Sequence, residues 1–391
     1  MISQRNLKKE SVNRLATANK DGKLRATIYM PTHRTASPPH MSEDEIRFKN
    51  LRNKLDKLMS NRSIPKATEQ FFSERLAELN NNTRFWERQT NGLLICMDDE
   101  NFNIFHMPLE TEEYVAIDNF YHLAPALAIM NDAIEYYVLI VRQNNPVLLK
   151  GDFYGVREAK TRLPKNLQIA LNIDEMNQKS EQQRSAAGAN DRTGGFNGRG
   201  GSKSPVENDK LRFMQLLDRL ISKEVKPTDL LILAGVSSDV SEFRQTTHQK
   251  NTADSVIELD LHENNLEEVH NQAMDIIRKE IINPSHDNVI REYKNLNGTN
   301  SNLTAFDFKT IKEAAEKGRI DKLLIPAIRY TSDTVQDDLK PVPVAVFPED
   351  GLARQYNLMA RDAHNTSAKI FAIEEKHMPY KKSLALATLR Y

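Results

Sequence analysis

The sequence predicts a mixed α/β protein organised as three domains. Two observations carry this. At 391 residues the chain is longer than one hydrophobic core ordinarily serves. Short β-rich runs also alternate with amphipathic helical stretches along its whole length. The boundaries are placed near residues 125 and 275, giving an N-terminal α/β domain over 1–125, a middle domain over 126–275 and a C-terminal domain over 276–391.

In the first domain "LRATIYMPTHR" reads as a strand ending at Pro31, which leaves Thr32, His33 and Arg34 where strand gives way to loop. A helix is expected from about Glu43 to Ser60, opened by Ser42 and Glu45 as a capping box. Phe48, Leu51, Leu55 and Leu58 form its apolar stripe, and Arg47, Lys49, Arg52, Lys54 and Lys57 take the remaining surface. A second helix is expected over Thr68–Leu79, followed by the strand pair "GLLICMDD" and "NIFHMPL".

The middle domain opens with "EYYVLIVRQ", the turn "NNP" and "VLLKG", which together read as a hairpin. A helix starts at Pro205, with Ser204 as N-cap and Glu207 closing a capping box, and buries Phe213, Leu216, Leu217, Leu220 and Ile221. "DLLILAGV" has the continuous apolar character of a central strand. A long helix from about Glu263 carries Leu266, Val269, Ala273, Ile276, Ile277 and Ile281 on one side, interrupted at Asn283–Pro284. The third domain alternates a helix over 308–317 closed by Gly318, a strand "KLLIPAI", a helix around 350–364, and the strands "KIFAIEE" and "SLALATLR".

Composition narrows the function classes. Lysines plus arginines equal aspartates plus glutamates at 54 each, so overall charge selects no partner. The distribution does more: residues 1–60 hold thirteen basic side chains against six acids, a local excess able to steer toward phosphate. The single cysteine, Cys96, permits no internal disulfide and no cysteine-based metal site, which fits a reducing compartment. The start "MISQRNLKKES" lacks a signal-peptide core, and runs such as "YYVLIV" are too short to span a bilayer. A cytoplasmic protein with no membrane partner is expected.

Several apparent sites dissolve on inspection. His262 and His270 are eight apart, where a helical zinc pair needs four, and a solvated helix face is the expected reading. "LILAGVSSD" lacks the glycines of a nucleophile elbow, so Ser237 is expected to cap the next helix. No cofactor or metal is implied. What remains is one stretch unlike the rest, "SAAGANDRTGGFNGRGGSKSP" at residues 185–205. It holds six of the fourteen glycines of the chain, Gly188, Gly194, Gly195, Gly198, Gly200 and Gly201, within fourteen positions. Bare backbone amides can approach phosphate or a developing oxyanion closely. Arginines between glycines favour RNA through charge and stacking.

The order of parts resembles the bacterial archaeo-eukaryotic release-factor-like family, within the peptide-chain release factor and Pelota superfamily. "YMPTHR" with "IRFKNLRNKL", the hairpin "EYYVLIVRQNNPVLLKG", the glycine-rich loop with "ENDKLRFMQLLDRLI" and "LLILAG", and "IKEAAEKGRIDKLLIPAI" with "LALATLRY" carry the resemblance. It implies a middle domain with a ribonuclease-H-like fold and a C-terminal α-β-α sandwich like that of kink-turn-binding ribosomal proteins. It also implies a role in translation termination or ribosome rescue, with the loop directed to the peptidyl-transferase centre. The implied partners are the ribosome, its rRNA and peptidyl-tRNA, with a partner GTPase left open.

Release factors of that superfamily carry Gly-Gly-Gln, whose glutamine and backbone amide help water attack the ester joining peptide to tRNA. Here Gly194-Gly195 is followed by Phe196, and the nearest amide side chain is Asn197. Gly194, Gly195 and Asn197 are therefore the candidate catalytic set. Arg192, Arg199, Lys203, Gly198, Gly200 and Gly201 are the candidate RNA contacts of the loop. Arg34, Arg47, Lys49, Arg52 and Lys54 form a second RNA-contacting set. Peptide release and a Pelota-type rescue without hydrolysis both stay open. A non-catalytic adaptor is the alternative from another class, and an RNA-processing enzyme is disfavoured because no carboxylate set for two metals is identifiable.

Overall fold

The computed structural model describes residues 4–18, 23–34, 37–61, 64–166, 168–169, 205–258, 265–327, 353–380 and 385–391. In chain order the N-terminal part holds β1 (Gln4–Asn6), α1 (Lys9–Thr17), β2 (Arg25–Pro31), α2 (Pro38–Ser60), α3 (Lys66–Asn80) and α4 (Thr83–Trp86). It continues with β3 (Gly92–Met97), β4 (Phe102–Met107), β5 (Tyr114–Asp118) and α5 (Ala124–Asp132). The five strands form one sheet in the order β1-β4-β3-β2-β5, antiparallel except that β1 runs parallel to β4.

Helix α2 begins earlier than its sequence signal suggests. Pro38 and Pro39 occupy the first turn, where a missing N–H costs nothing, so Ser42 and Glu45 lie inside the helix. Its stripe Phe48, Leu51 and Leu55 is fully buried and packs with Phe72, Leu76, Leu79 and Trp86 on the sheet residues Ile28, Met30, Leu93 and Ile95.

The middle part holds β6 (Tyr136–Ile140), β7 (Val147–Asp152), β8 (Gly155–Glu158), α6 (Pro205–Ile221), β9 (Leu230–Ala234), α7 (Ser237–Thr246), β10 (Thr252–Ile257) and α8 (Leu266–Ile277). Its sheet has the order β10-β9-β6-β7-β8, with β9 parallel to both β6 and β10 and the β6–β7 hairpin antiparallel. Asn145 in the hairpin connection has φ 52°, a left-handed turn position that asparagine tolerates well. Gly235 ends β9 at φ 137°, and a Cβ there would lie 2.6 Å from the Val141 carbonyl oxygen. Phe213, Leu216, Leu217 and Ile221 of α6 pack on Leu139, Leu231 and Leu233. Helix α7 starts at Ser237 itself, with Val236 as its N-cap.

Two expectations for α8 change. Leu266 is 40% exposed at the start of the helix and takes no part in the stripe. His270 is buried, its Nδ1 paired with the Tyr136 hydroxyl at 2.9 Å, so it does not lie on a solvated face; His262 and Ser204 lie outside the described residues.

A π-helical turn, Arg278–Ile282, joins α8 to α9 (Asn283–Thr299). Pro284 cannot donate to the preceding turn, and a widened turn is how a helix absorbs that loss. There follow β11 (Thr304–Ala305), α10 (Phe308–Glu316), β12 (Ile320–Ala327), α11 (Ala353–Asn365), β13 (Lys369–Glu374) and β14 (Leu386–Leu389), with the sheet order β11-β14-β12-β13. Gly318, at φ 66°, closes α10 as its sequence position suggests.

The chain divides into two compact units, one comprising Met1–Ala133 with Ile282–Tyr391, the other Ile134–Ile281. Within the first, α5 packs on β13 and α11, and α1 packs on α11. No helix among the described residues is long and apolar enough to cross a membrane.

Candidate nucleic-acid interface

In the first unit the strand-to-loop junction after Pro31 is fixed by hydrogen bonds. The Thr32 hydroxyl donates to the Thr90 carbonyl at 2.7 Å, and the His33 amide donates to Asp44 Oδ2 at 2.9 Å. His33 Nδ1 also meets Asp44 Oδ1 at 2.9 Å, and the imidazole stacks on His40 with centroids 4.4 Å apart. The Asp44 carboxylate is 2% exposed, so these donors and Arg47 replace its lost water.

The five basic residues of the N-terminal set differ in their partners. Arg34 Nε donates to Asn91 Oδ1 at 3.3 Å. Arg47 is held by three acids, with Glu43 at 2.9 Å, Glu113 at 3.3 Å and Asp44 at 3.4 Å. Lys54 shares Glu113 at 3.6 Å. At about 100° per residue, Arg47 and Lys54 lie on one flank of the Phe48/Leu51/Leu55 stripe and Lys49 and Arg52 on the other. Lys49 and Arg52 have no ion-pair partner among the described residues.

In the second unit the described residues that precede the glycine-rich stretch in sequence are pinned to the core. The Thr161 amide and hydroxyl both donate to Glu224 Oε2, at 2.9 and 2.5 Å, and these bonds hold the Glu224 carboxyl below its ordinary pKa. The Asn145 amide donates to the Lys165 carbonyl at 2.7 Å, and Leu163 packs against the core. Among these residues Arg157, Lys160, Arg162 and Lys165 are all exposed. None has an ion-pair partner among the described residues. Sequence reading did not single out these four, although "VREAKTRLPK" carries four basic residues, Arg157, Lys160, Arg162 and Lys165, against the single acid Glu158. Gly194, Gly195, Asn197, Arg192, Arg199, Gly198, Gly200, Gly201 and Lys203 lie outside the described residues. Both flanks of that stretch belong to the same unit.

Residues 136–279 match the sequence model of bacterial archaeo-eukaryotic release factor family 7. The match covers this segment and not the rest of the chain. The matched segment and the compact unit Ile134–Ile281 begin and end within about two residues of each other. No curated protein matches the chain. Among solved structures the chain is similar to the Pelota protein of Archaeoglobus fulgidus, at 13% identity over 77% of this chain and 79% of that one, with TM-score 0.33. It is similar to S. cerevisiae Dom34, a translation termination-like factor, at 8% identity over 76% and 73%, with TM-score 0.32. It is also similar to the archaeal translation termination factor aRF1, at 13% identity over 99% of each chain, with TM-score 0.23. At these scores the likenesses carry no weight of their own.

Proposed function

We propose that this protein is a cytoplasmic, ribosome-associated factor acting in translation termination or ribosome rescue, with loop 188–203 as its effector. The observation that carries the reading is the coincidence of the release-factor family match with the unit that contains the loop. The exposed Arg157, Lys160, Arg162 and Lys165 supply phosphate-directed charge in the unit whose sequence includes the loop, and Lys49 and Arg52 supply it in the first unit. Within this proposal Arg192, Arg199 and Lys203 contact phosphate, and the glycines permit close approach of backbone to RNA. Peptidyl-tRNA and rRNA are the partners, and a partner GTPase rests on the resemblance alone.

The missing glutamine favours occupancy of the ribosome without ester hydrolysis, because water positioning tolerates little displacement and Asn197 is one position later and one methylene shorter. A photoreactive side chain in place of Phe196 tests the effector assignment. Crosslinking to large-subunit rRNA or peptidyl-tRNA is expected. Crosslinks confined to a protein partner would support the adaptor reading instead.

A further inference from the structure

A groove of about 450 Å³ in the second unit is lined by Leu211, Gln215, Asp218 and Arg219 of α6 and by Gln245, Thr246 and His248 at the end of α7. Its lining includes a buried carboxylate that is held by Thr247 and His248. Asp218 Oδ1 accepts from the Thr247 hydroxyl at 2.6 Å and the His248 amide at 3.2 Å, while Oδ2 meets His248 Nδ1 at 2.8 Å. The Asp218 side chain is 7% exposed and that of His248 is 88% exposed. An ionised carboxylate can only accept, so Nδ1 carries the proton, and in the neutral form of the ring Nε2 is left as an acceptor. The result is an oriented imidazole held out in solvent by a buried anchor, beside the guanidinium of Arg219 and the amides of Gln215 and Gln245.

We propose that this groove takes one ribonucleotide unit of a single-stranded RNA segment, with His248 Nε2 accepting from the ribose 2′-hydroxyl and Arg219 pairing the adjacent phosphate. A 2′-hydroxyl is the donor that distinguishes RNA from DNA at a single contact, and an acceptor-only ring nitrogen is matched to it. The guanidinium supplies the cation that pairs the phosphate, and the two amides can meet base or sugar edges. The inference deepens the RNA-directed reading above and rests on it.

The test uses the full-length protein and a single-stranded oligonucleotide prepared as RNA and as its 2′-deoxy counterpart, with affinities measured by fluorescence anisotropy over a salt series. Wild type is expected to favour RNA by about tenfold, the value of roughly one such hydrogen bond to a well-held acceptor. His248→Ala should bring the ratio close to one while leaving affinity for the deoxy strand unchanged. His248→Gln, whose side-chain oxygen still accepts, should restore part of the preference. Arg219→Ala should weaken both strands alike and lower the salt slope by about one. A wild-type ratio near one, or a preference that survives His248→Ala, overturns the groove assignment. In that case salt-dependent binding to ribosomes would still stand as evidence for the broader reading, whereas loss of both would remove the two together.

Discussion

Arg354 grips Asp118 through two guanidinium nitrogens, Nε at 2.6 Å from Oδ2 and Nη2 at 3.1 Å from Oδ1, and so ties α11 to the end of β5. The same carboxylate meets His122 Nε2 at 3.3 Å, and His122 Nδ1 meets the Tyr114 hydroxyl at 2.6 Å. Phe120 lies under both Arg354 and Arg361, at 5.5 and 4.7 Å, and the Ala124 amide donates to Asn357 Oδ1 at 2.8 Å. Residues far apart in sequence are thus joined within the first unit by charge, ring face and a buried amide.

Burial raises the pKa of Asp118, but the hydrogen bonds from His122 and Arg354 prevail and hold the carboxyl below its ordinary value. The stability this group contributes is therefore complete above the ordinary aspartate range, about 4, and is lost as pH falls through the depressed folded value. Arg354→Met should cost about 1–3 kcal/mol at neutral pH and less in acid. Urea denaturation at both pH values checks this. An equal loss at each would show that the pair does not act through charge.

Cys96 lies in β3 with no exposed surface, and burial pushes its thiol well above the ordinary range. Alkylating reagent at mildly alkaline pH should leave the native protein unlabelled and modify one site per chain once denaturant is added. Rapid labelling of the folded protein would contradict the packing described for that strand.

The two flanks of α2 should respond differently to charge reversal. Arg47→Glu places a fourth acid among Glu43, Asp44 and Glu113, and should lower stability by about 1–3 kcal/mol. Lys49→Glu with Arg52→Glu should leave the melting temperature close to wild type and weaken ribosome binding. If the Lys49/Arg52 double variant binds as wild type does, this helix is not an RNA contact.

Much of the fold is legible in local patterns. The spacing of Phe48, Leu51 and Leu55 marks the buried face of α2, "NNP" marks the β6–β7 turn, and Gly318 marks the end of α10. Other features leave no such trace. Gln4–Asn6 joins the sheet as a parallel edge strand with a polar sequence, and α5 is buried on all sides, so its apolar residues show no helical period. Sites were harder still. Nothing local to Arg47 announces Glu113, and nothing local to His248 announces Asp218, since each pair depends on how separate elements pack. Composition alone pointed to the glycine-rich stretch, and composition is silent about its chemistry.

That chemistry divides on two substitutions. If Asn197 positions water, Asn197→Ala should abolish peptide release from ribosome-bound peptidyl-tRNA with binding intact. If bare backbone acts, Gly195→Ala should be the damaging change, because a methyl group blocks close approach or a positive φ. Since the glutamine is missing, the expected outcome is that wild type binds ribosomes through Arg192 and Arg199 and releases no peptide. Release of peptide by wild type would overturn that expectation and assign a hydrolase role.

The most direct test of the central claim is co-sedimentation of the full-length protein with ribosomes across a salt series, alongside a variant carrying Arg157→Ser, Lys160→Ser, Arg162→Ser and Lys165→Ser. Wild type should pellet with ribosomes at low salt and be released as salt rises, with a shallower dependence for the variant because fewer counterions are displaced. Failure of wild type to pellet at any salt, or pelleting that salt does not change and the variant does not weaken, would contradict the account.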